Sequence, residues 1–336
     1  MRSTNTIIVV DTHTEGEPTR IIISGFPRLD GNTLYEKREF LRTKLDHLRT
    51  SLLLEPRGHN NQFGALLLPT HNQGVDYALV FMDNRGFLDM CGHGTIGVTT
   101  ALIELGMMEP KEPHTKVTYE TVAGLVKAEA KIVNGGVEEV SFVNVPSFYV
   151  GAYELELGKG NTVPVDVAYG GNFYVIVEAG DLGIRVRKGL VRELIKKGIL
   201  LRDKAAEQIE VRHPGAPGVP KKVDLAMITD EPELCGSDGK NIVVFGKGQF
   251  DRSPCGTGTA ARVATLHSKG LLDTGEAYIH ESIINTRFRA KILETTKIGY
   301  LDAVVPELTG RAFITQISHT VIHPEDPLKN GFSILH

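Results

Sequence analysis

The sequence predicts an α/β or α+β fold made of two similar halves. Three observations carry that expectation. Strand-like runs outnumber helical ones along the chain. The two best-placed helical patterns each follow a strand-like run and a shared string, Met90-Cys91-Gly92-His93-Gly94-Thr95 in one and Pro254-Cys255-Gly256-Thr257-Gly258-Thr259 in the other. The register between the copies is constant. Cys91/Cys255, Gly92/Gly256, Gly94/Gly258, Thr95/Thr259, Leu102/Leu266 and Gly106/Gly270 all lie 164 positions apart (255−91), as do Val80/Val244 and Phe81/Phe245 upstream.

Taken in order, short alternating or apolar runs predict strands at Ile7–Val10, Arg20–Ser24, Ala65–Leu68, Tyr77–Met82, Lys116–Glu120, Leu125–Ile132 and Glu139–Val143. Further runs follow at Asn172–Val177, Val223–Ile228, Asn241–Phe245, Ala277–Glu281, Arg287–Leu293 and Ala312–Ile317. Helical spacing is rarer. Thr33-Leu34-Tyr35-Glu36 is a capping box, and Leu41, Leu45, Leu48 and Leu52 continue one apolar stripe behind it. Leu190, Val191, Leu194, Ile195 and Ile199 mark a second helix, and the runs Cys91 to Gly106 and Cys255 to Gly270 complete the set. Asn134-Gly135-Gly136 is a hairpin signal, and the Pro/Gly string from Pro214 to Pro220 reads as a surface loop.

Weak similarity after each motif helix, at Glu120 and Glu281, drifts to an offset of 161 (281−120). The halves then divide near residue 123. The expected domains are 1–123 with a returning 307–336, carrying Cys91, and 124–306, carrying Cys255.

A length of 336 residues suits two domains. With 41% hydrophobic and 23% charged residues and a formal net charge of −4, the chain has no basic groove for nucleic acid and no polybasic membrane anchor. No apolar run approaches the ~20 residues of a bilayer span, and the N-terminus has no signal-peptide pattern, so a cytoplasmic protein is expected. Three cysteines do not make a disulfide scaffold; two lie in the matched motifs, and Cys235 in a loop-like string is read as incidental.

A thiol at a helix N-terminus feels the positive end of the helix dipole and the unpaired first-turn N–H groups. Both favour thiolate and can move a cysteine pKa from ~8.5 toward neutrality. The glycines let a ligand approach the backbone closely, and their N–H groups suit a carboxylate or phosphate. A lone Cys-Gly-X-Gly is more often a tight turn with a buried cysteine. Two copies in register reverse that judgement. They suggest one thiolate removing a proton from a carbon while the opposite thiol delivers one to the other face, with no metal, nucleotide or pyridoxal cofactor. His13, Glu15 and Glu17 alternate on a strand and could be drawn as metal ligands, but a structural role is preferred. No phosphate loop and no dinucleotide fingerprint follows a strand.

Four strings carry a resemblance: Asp11 to Arg20 (DTHTEGEPTR), Glu55-Pro56-Arg57-Gly58-His59-Asn60, Met90 to Gly94, and Asp251 to Thr259 (DRSPCGTGT). The chain resembles the proline racemase family nearly end to end, through Pro324-Glu325-Asp326-Pro327-Leu328. The resemblance implies a diaminopimelate-epimerase-like fold: two pseudo-symmetric domains, each a mixed sheet wrapped around a central helix, with the site in the cleft between. It implies a cofactor-independent isomerase, acting on proline or hydroxyproline and working as a homodimer. Cys91 and Cys255 would be the two acid/base thiols. Backbone N–H groups of Gly92, His93, Gly256 and Thr257 would hold the substrate carboxylate. The side chains of His93 and Asp251 would contact the ring amine, and Phe63 and Phe245 would wall the pocket.

Apolar walls suit an unsubstituted pyrrolidine ring, because an unpaired buried hydroxyl costs ~1–3 kcal/mol. The family's hydroxyproline epimerases tend to carry polar residues there. Its 3-hydroxyproline dehydratases replace the second thiol by a hydroxyl residue, which Cys255 argues against. Interconversion of L- and D-proline is therefore expected, with 4-hydroxyproline 2-epimerisation as the alternative. A single-thiol cysteine hydrolase or transferase and a non-catalytic imino-acid-binding protein stand as the other classes.

Overall fold

The structure is a computed structural model that describes residues 5–215 and 221–334. Most of the expected Pro/Gly loop, residues 216–220, lies outside the described residues. The chain forms two compact units, Met1–Phe142 with Arg311–His336, and Val143–Gly310.

In the first unit the sheet runs Ala312–Ile322, Asn5–Thr14, Glu17–Ser24, Phe63–Leu68, Tyr77–Met82, His114–Thr121, Gly124–Val133 and Gly136–Val143. The neighbours are antiparallel, antiparallel, parallel, antiparallel, parallel, antiparallel and antiparallel. In the second unit the order is Phe148–Gly158, Asn161–Tyr169, Phe173–Glu178, Leu225–Asp230, Gly239–Phe245, Ala277–Ser282, Arg287–Ile298 and Leu301–Gly310. The sequence of directions is the same. Each unit also carries a two-residue strand, Phe87–Leu88 or Gln249–Phe250, on the strand that leads into its cysteine motif. The repeat legible around the cysteines therefore extends over the whole sheet. The first unit takes its edge strand from the far end of the chain.

The helices are α1 (Leu34–Lys44), α2 (Asp46–Leu53), α3 (Gly92–Glu104), α4 (Val191–Gln208) and α5 (Gly256–Ser268). The capping box forms: Thr33 Oγ1 accepts from Glu36 N–H, and the Glu36 carboxylate accepts from Thr33 N–H, both at 3.2 Å. The single stripe expected from Leu41 to Leu52 is broken at Leu45, whose φ of −126° leaves the helix. The break turns α2 so that Leu41, Leu48, Leu52 and Leu53 reach one core with Ile7, Val9, Ile22, Leu66 and Val80. Every residue of α3 from Gly92 to Ile103 is buried, as expected for a helix surrounded by its sheet. The second core gathers Phe148, Leu155, Val163, Val165, Val167, Val175, Leu194, Leu201, Val244 and their neighbours. Each such side chain contributes ~1.5–3 kcal/mol by burial.

Besides the two-residue strands, three long strands escape the sequence reading: Phe148–Gly158, Asn161–Tyr169 and Leu301–Gly310. Pro164 and Pro306 weaken the strand signal in two of them. Pro164 lies outside the ladder to Phe173–Glu178, which covers only Asp166–Tyr169. The units divide after Phe142, not near residue 123, because Gly124–Val133 pairs with His114–Thr121 over its whole length. Gly136–Val143 then folds back on it through the Asn134-Gly135 turn, where both residues have positive φ. The return to the first unit comes at Arg311, since Leu301–Gly310 belongs to the second sheet.

Candidate active site

Cys91 and Cys255 are the N-cap residues of α3 and α5, two helices of 13 residues. The first ladder bonds run from Thr95 N–H to Cys91 C=O (3.0 Å) and from Thr259 N–H to Cys255 C=O (2.8 Å). The N–H groups of residues 92–94 and 256–258 thus precede the helical ladder, where an anion can use them. A Cβ at Gly94 or Gly258 would lie 3.1 Å from the motif's own sulfur, so glycine is what lets each sulfur fold over its helix start. Both thiols are buried, each 7% exposed.

In the first unit, Cys91 Sγ lies 3.4 Å from His93 Nδ1. The Phe63 ring meets the His93 ring edge-on, 4.6 Å between centroids, so three of the expected site residues cluster here. Burial holds His93 down at a pKa of about 3, and the ring is neutral at working pH. The DTHTEGEPTR string is a hairpin that supports this helix start. Its turn has positive φ at Glu15 and Gly16, and Thr14 Oγ1 donates to the His93 carbonyl at 2.8 Å. His13 accepts from Gly16 N–H and packs on Phe313, while Glu15 accepts from Arg311 N–H. Among the described residues, no cluster of three or more His, Cys, Asp or Glu side chains is arranged to hold a metal ion.

The Glu55–His59 string, opaque in the sequence, ties down the chain's end. Arg57 donates to the carbonyls of Ser51 (2.7 Å), Leu328 (3.0 Å) and Lys329 (2.6 Å). Phe332 N–H donates to the Glu55 carbonyl. The Glu55–Asn60 string and the Pro324–Leu328 string thus serve one scaffold, ahead of Phe63.

In the second unit, Asp251 is buried and its Oδ1 accepts from Ser253 N–H (2.8 Å) and Ser253 Oγ–H (2.7 Å). Ser253 Oγ in turn accepts from Cys255 N–H at 3.1 Å. This chain holds Cys255 at φ +65°, a region a non-glycine residue rarely visits and one that costs ~1–3 kcal/mol. Burial pushes Asp251 up to about 6. The thiol of Cys255 is raised well above its usual range, first by burial and then by the Asp251 charge; hydrogen bonds from Tyr174 and Gly258 N–H oppose the rise. The sequence expectation of a thiol lowered toward neutrality is not met at Cys255 in this state, because desolvation outweighs the helix start. Phe245 is buried at the end of the strand whose Val243 carbonyl accepts from Asp251 N–H (3.0 Å).

Sequence reasoning missed Tyr174 and Ser253. Tyr174 lies in an apolar strand and reads as core; Ser253 reads as loop. Its hydroxyl places Tyr174 3.4 Å from Cys255 Sγ and 2.6 Å from Thr257 Oγ1. A further buried network backs the loop: His280 bonds Thr259 Oγ1 (2.8 Å), and Asn241 Nδ2 donates to the Pro254 carbonyl (2.9 Å). Cys235 is exposed.

The arrangement offers, in each unit, a thiol with a polar partner at hydrogen-bond distance and a row of helix-start N–H groups. Among the described residues no helix is long and apolar enough to cross a membrane.

The proline racemase family profile matches residues 9–333. The chain is 46% identical to the proline racemase of Acetoanaerobium sticklandii, over 99% of this chain and 100% of that one. Among solved structures it matches a probable proline racemase from Agrobacterium radiobacter with bound carbonate, at TM-score 0.89 and 35% identity, covering 98% and 96% of the two chains. It also matches a hydroxyproline epimerase from Agrobacterium vitis with bound trans-4-hydroxy-L-proline, at TM-score 0.88 and 35% identity, covering 99% and 97%. The fold, the duplicated cysteine motif and these likenesses agree, and the chain belongs to the proline racemase family.

Proposed function

We propose that this protein is an isomerase that interconverts L- and D-proline. The observation that carries the reading is the pair of thiols at matched helix starts, each with a hydrogen-bonding partner at its sulfur. In this reading Cys91 and Cys255 act on opposite faces of one substrate carbon. One sulfur accepts the α-proton as thiolate; the other, as thiol, delivers a proton to the opposite face. The N–H groups of Gly92, His93, Gly256 and Thr257 hold the carboxylate and stabilise charge that spreads onto it. Asp251 supplies the counter-charge for the ring ammonium, which offsets the penalty that burial now places on Asp251 and Cys255. His93 contacts the same amine. The two thiols suffice for the proton transfers, so no cofactor enters the scheme. A cytoplasmic homodimer completes the proposal.

Phe63 and Phe245 favour proline over 4-hydroxyproline, since neither ring can pair a ring hydroxyl. Optical rotation with each substrate tests this. Proline should be racemised, with kcat/KM at least about tenfold above 4-hydroxyproline epimerisation. A preference for the hydroxylated substrate would replace the assignment by 4-hydroxyproline 2-epimerase. Binding without α-hydrogen exchange in deuterated water would remove catalysis altogether.

A further inference from the structure

We propose that Tyr174 is a positioning residue for Cys255, its hydroxyl and that of Thr257 forming a chain that hydrogen-bonds the sulfur in both protonation states. The proposal rests on the two-thiol reading, in which Cys255 must serve as acid and as base.

The geometry is built from the sheet outward. Tyr174 is fully buried on the strand Phe173–Glu178, held by Ala168 on one side and Leu225 on the other. Its hydroxyl has two partners, Cys255 Sγ at 3.4 Å and Thr257 Oγ1 at 2.6 Å. The hairpin before it is pressed against the first turn of α5. A Cβ at Gly170 would collide with the Thr257 carbonyl and lie 2.5 Å from Ala261 N, and Asn144 Nδ2 fixes the Gly170 carbonyl at 2.8 Å. Such a shell leaves the hydroxyl little freedom, which a positioning group needs.

Each hydroxyl carries one proton and accepts on its lone pairs. With the sulfur as thiolate, Thr257 O–H donates to the Tyr174 oxygen and Tyr174 O–H donates to sulfur. With the sulfur protonated, Tyr174 O–H turns to Thr257 and its oxygen can accept the S–H. No proton leaves the chain in either state. Tyr174 stays protonated throughout, because burial and the neighbouring Cys255 keep its pKa well above the usual phenol range. The other titratable group at this sulfur is Asp251, with Arg252 beside it. A carboxylate there can only accept, so it favours the thiol and cannot support the thiolate. Tyr174 is the side chain that answers the negative sulfur, beside the backbone N–H of Gly258.

Tyr174→Phe keeps the ring and removes the hydroxyl. Alkylation by iodoacetamide, followed by mass spectrometry of both motif peptides without substrate, reads each thiol separately. At pH 8 the Cys255 rate should fall about fivefold, while Cys91 in the same sample stays within about twofold. With proline, kcat should fall about 10- to 100-fold with KM within about threefold, and the acid limb of kcat should move about one unit to higher pH. Thr257→Val should show a smaller shift in the same direction, and Thr257→Ser should restore it. An unchanged or faster Cys255 rate overturns the proposal, and so does an equal fall at Cys91, which marks general loosening. If the wild type fails to racemise proline while Tyr174→Phe still slows Cys255 alone, the functional reading falls and the positioning role stands.

Discussion

The two cysteine motifs share a helix start and differ in the backbone of the cap and in the partners of the sulfur. Cys91 enters α3 at φ −144°, an ordinary extended N-cap, while Cys255 enters α5 at φ +65°. Sulfur 91 meets an imidazole; sulfur 255 meets a phenol and a buried carboxylate. At the 164-residue offset, His93 corresponds to Thr257 and Asp251 to Phe87. Duplication therefore kept the helix start and its N–H row but set a buried carboxylate, Asp251, beside the sulfur of Cys255. That division suits a substrate with one ammonium group and two faces to be treated alike. Under the proposed two-thiol reading, a second carboxylate would add like-charge repulsion around a carbon that must itself become negative. The half with the carboxylate also carries the strained cap, held by the Asp251–Ser253–Cys255 chain.

The largest effect should come from breaking the pair itself. Cys91→Ser and Cys255→Ser should each lower racemisation by about 10³-fold or more, since a serine hydroxyl is a far weaker acid than a thiol. Each variant keeps one competent thiol. The two should therefore spare solvent exchange of the α-hydrogen on opposite enantiomers, read by NMR in deuterated water. Exchange spared on the same enantiomer by both variants would end the two-sided arrangement. Full racemisation by either would reduce one half to scaffold.

How much of this is legible in the sequence follows from where the signals lie. The constant offset across Cys91/Cys255 and Gly106/Gly270 exposed the duplication, because a helix start needs small residues at fixed places. Val163, Val165 and Val167 do alternate and are buried, but Pro164 hid that strand. Leu45 looked like one more member of a stripe, and only the shared core with the sheet shows why the helix turns there. Tyr174 was invisible for a different reason. A tyrosine in an apolar strand looks like core until its hydroxyl is placed, and that placement depends on a hairpin and a helix 80 residues apart, as the 81- and 83-residue separations to Cys255 and Thr257 record. The Arg57 clamp is likewise unreadable, since three of its four acceptors among the described residues are backbone carbonyls that any residue type could offer, the fourth being the Asp326 carboxylate.

That clamp gives the next test, because the second unit has its edge strand in sequence while the first borrows its own from the chain's end. Arg57→Ala removes the donor that holds Ser51, Leu328 and Lys329 carbonyls. A loss of about 2–4 kcal/mol is expected in urea denaturation, as bonds from a charged donor are lost and partly buried acceptors are stranded. Limited proteolysis should cut first near residues 326–332. Unchanged stability would mean that the end of the chain is held by its strand and by the Ser51 and Glu55 contacts, without Arg57.

The smallest effect isolates the buried carboxylate. Asp251 in the folded protein keeps its proton to about pH 6, whereas the unfolded chain releases it near 3.8. Between those values the folded state binds more protons than the unfolded state. Stability from this group is thus complete below about pH 4 and is lost as pH rises through 6, by about 1–3 kcal/mol. Asp251→Asn keeps an acceptor for Ser253 and removes the titration. The difference in stability between variant and wild type should grow in favour of the variant from pH 4 to pH 7, without substrate, in paired denaturant titrations. Proline should narrow that difference in the wild type, because its ammonium supplies a counter-charge to the Asp251 carboxylate. A flat difference across the range would show that Asp251 ionises freely in the fold, and the asymmetry between the two halves would then be one of shape and not of charge.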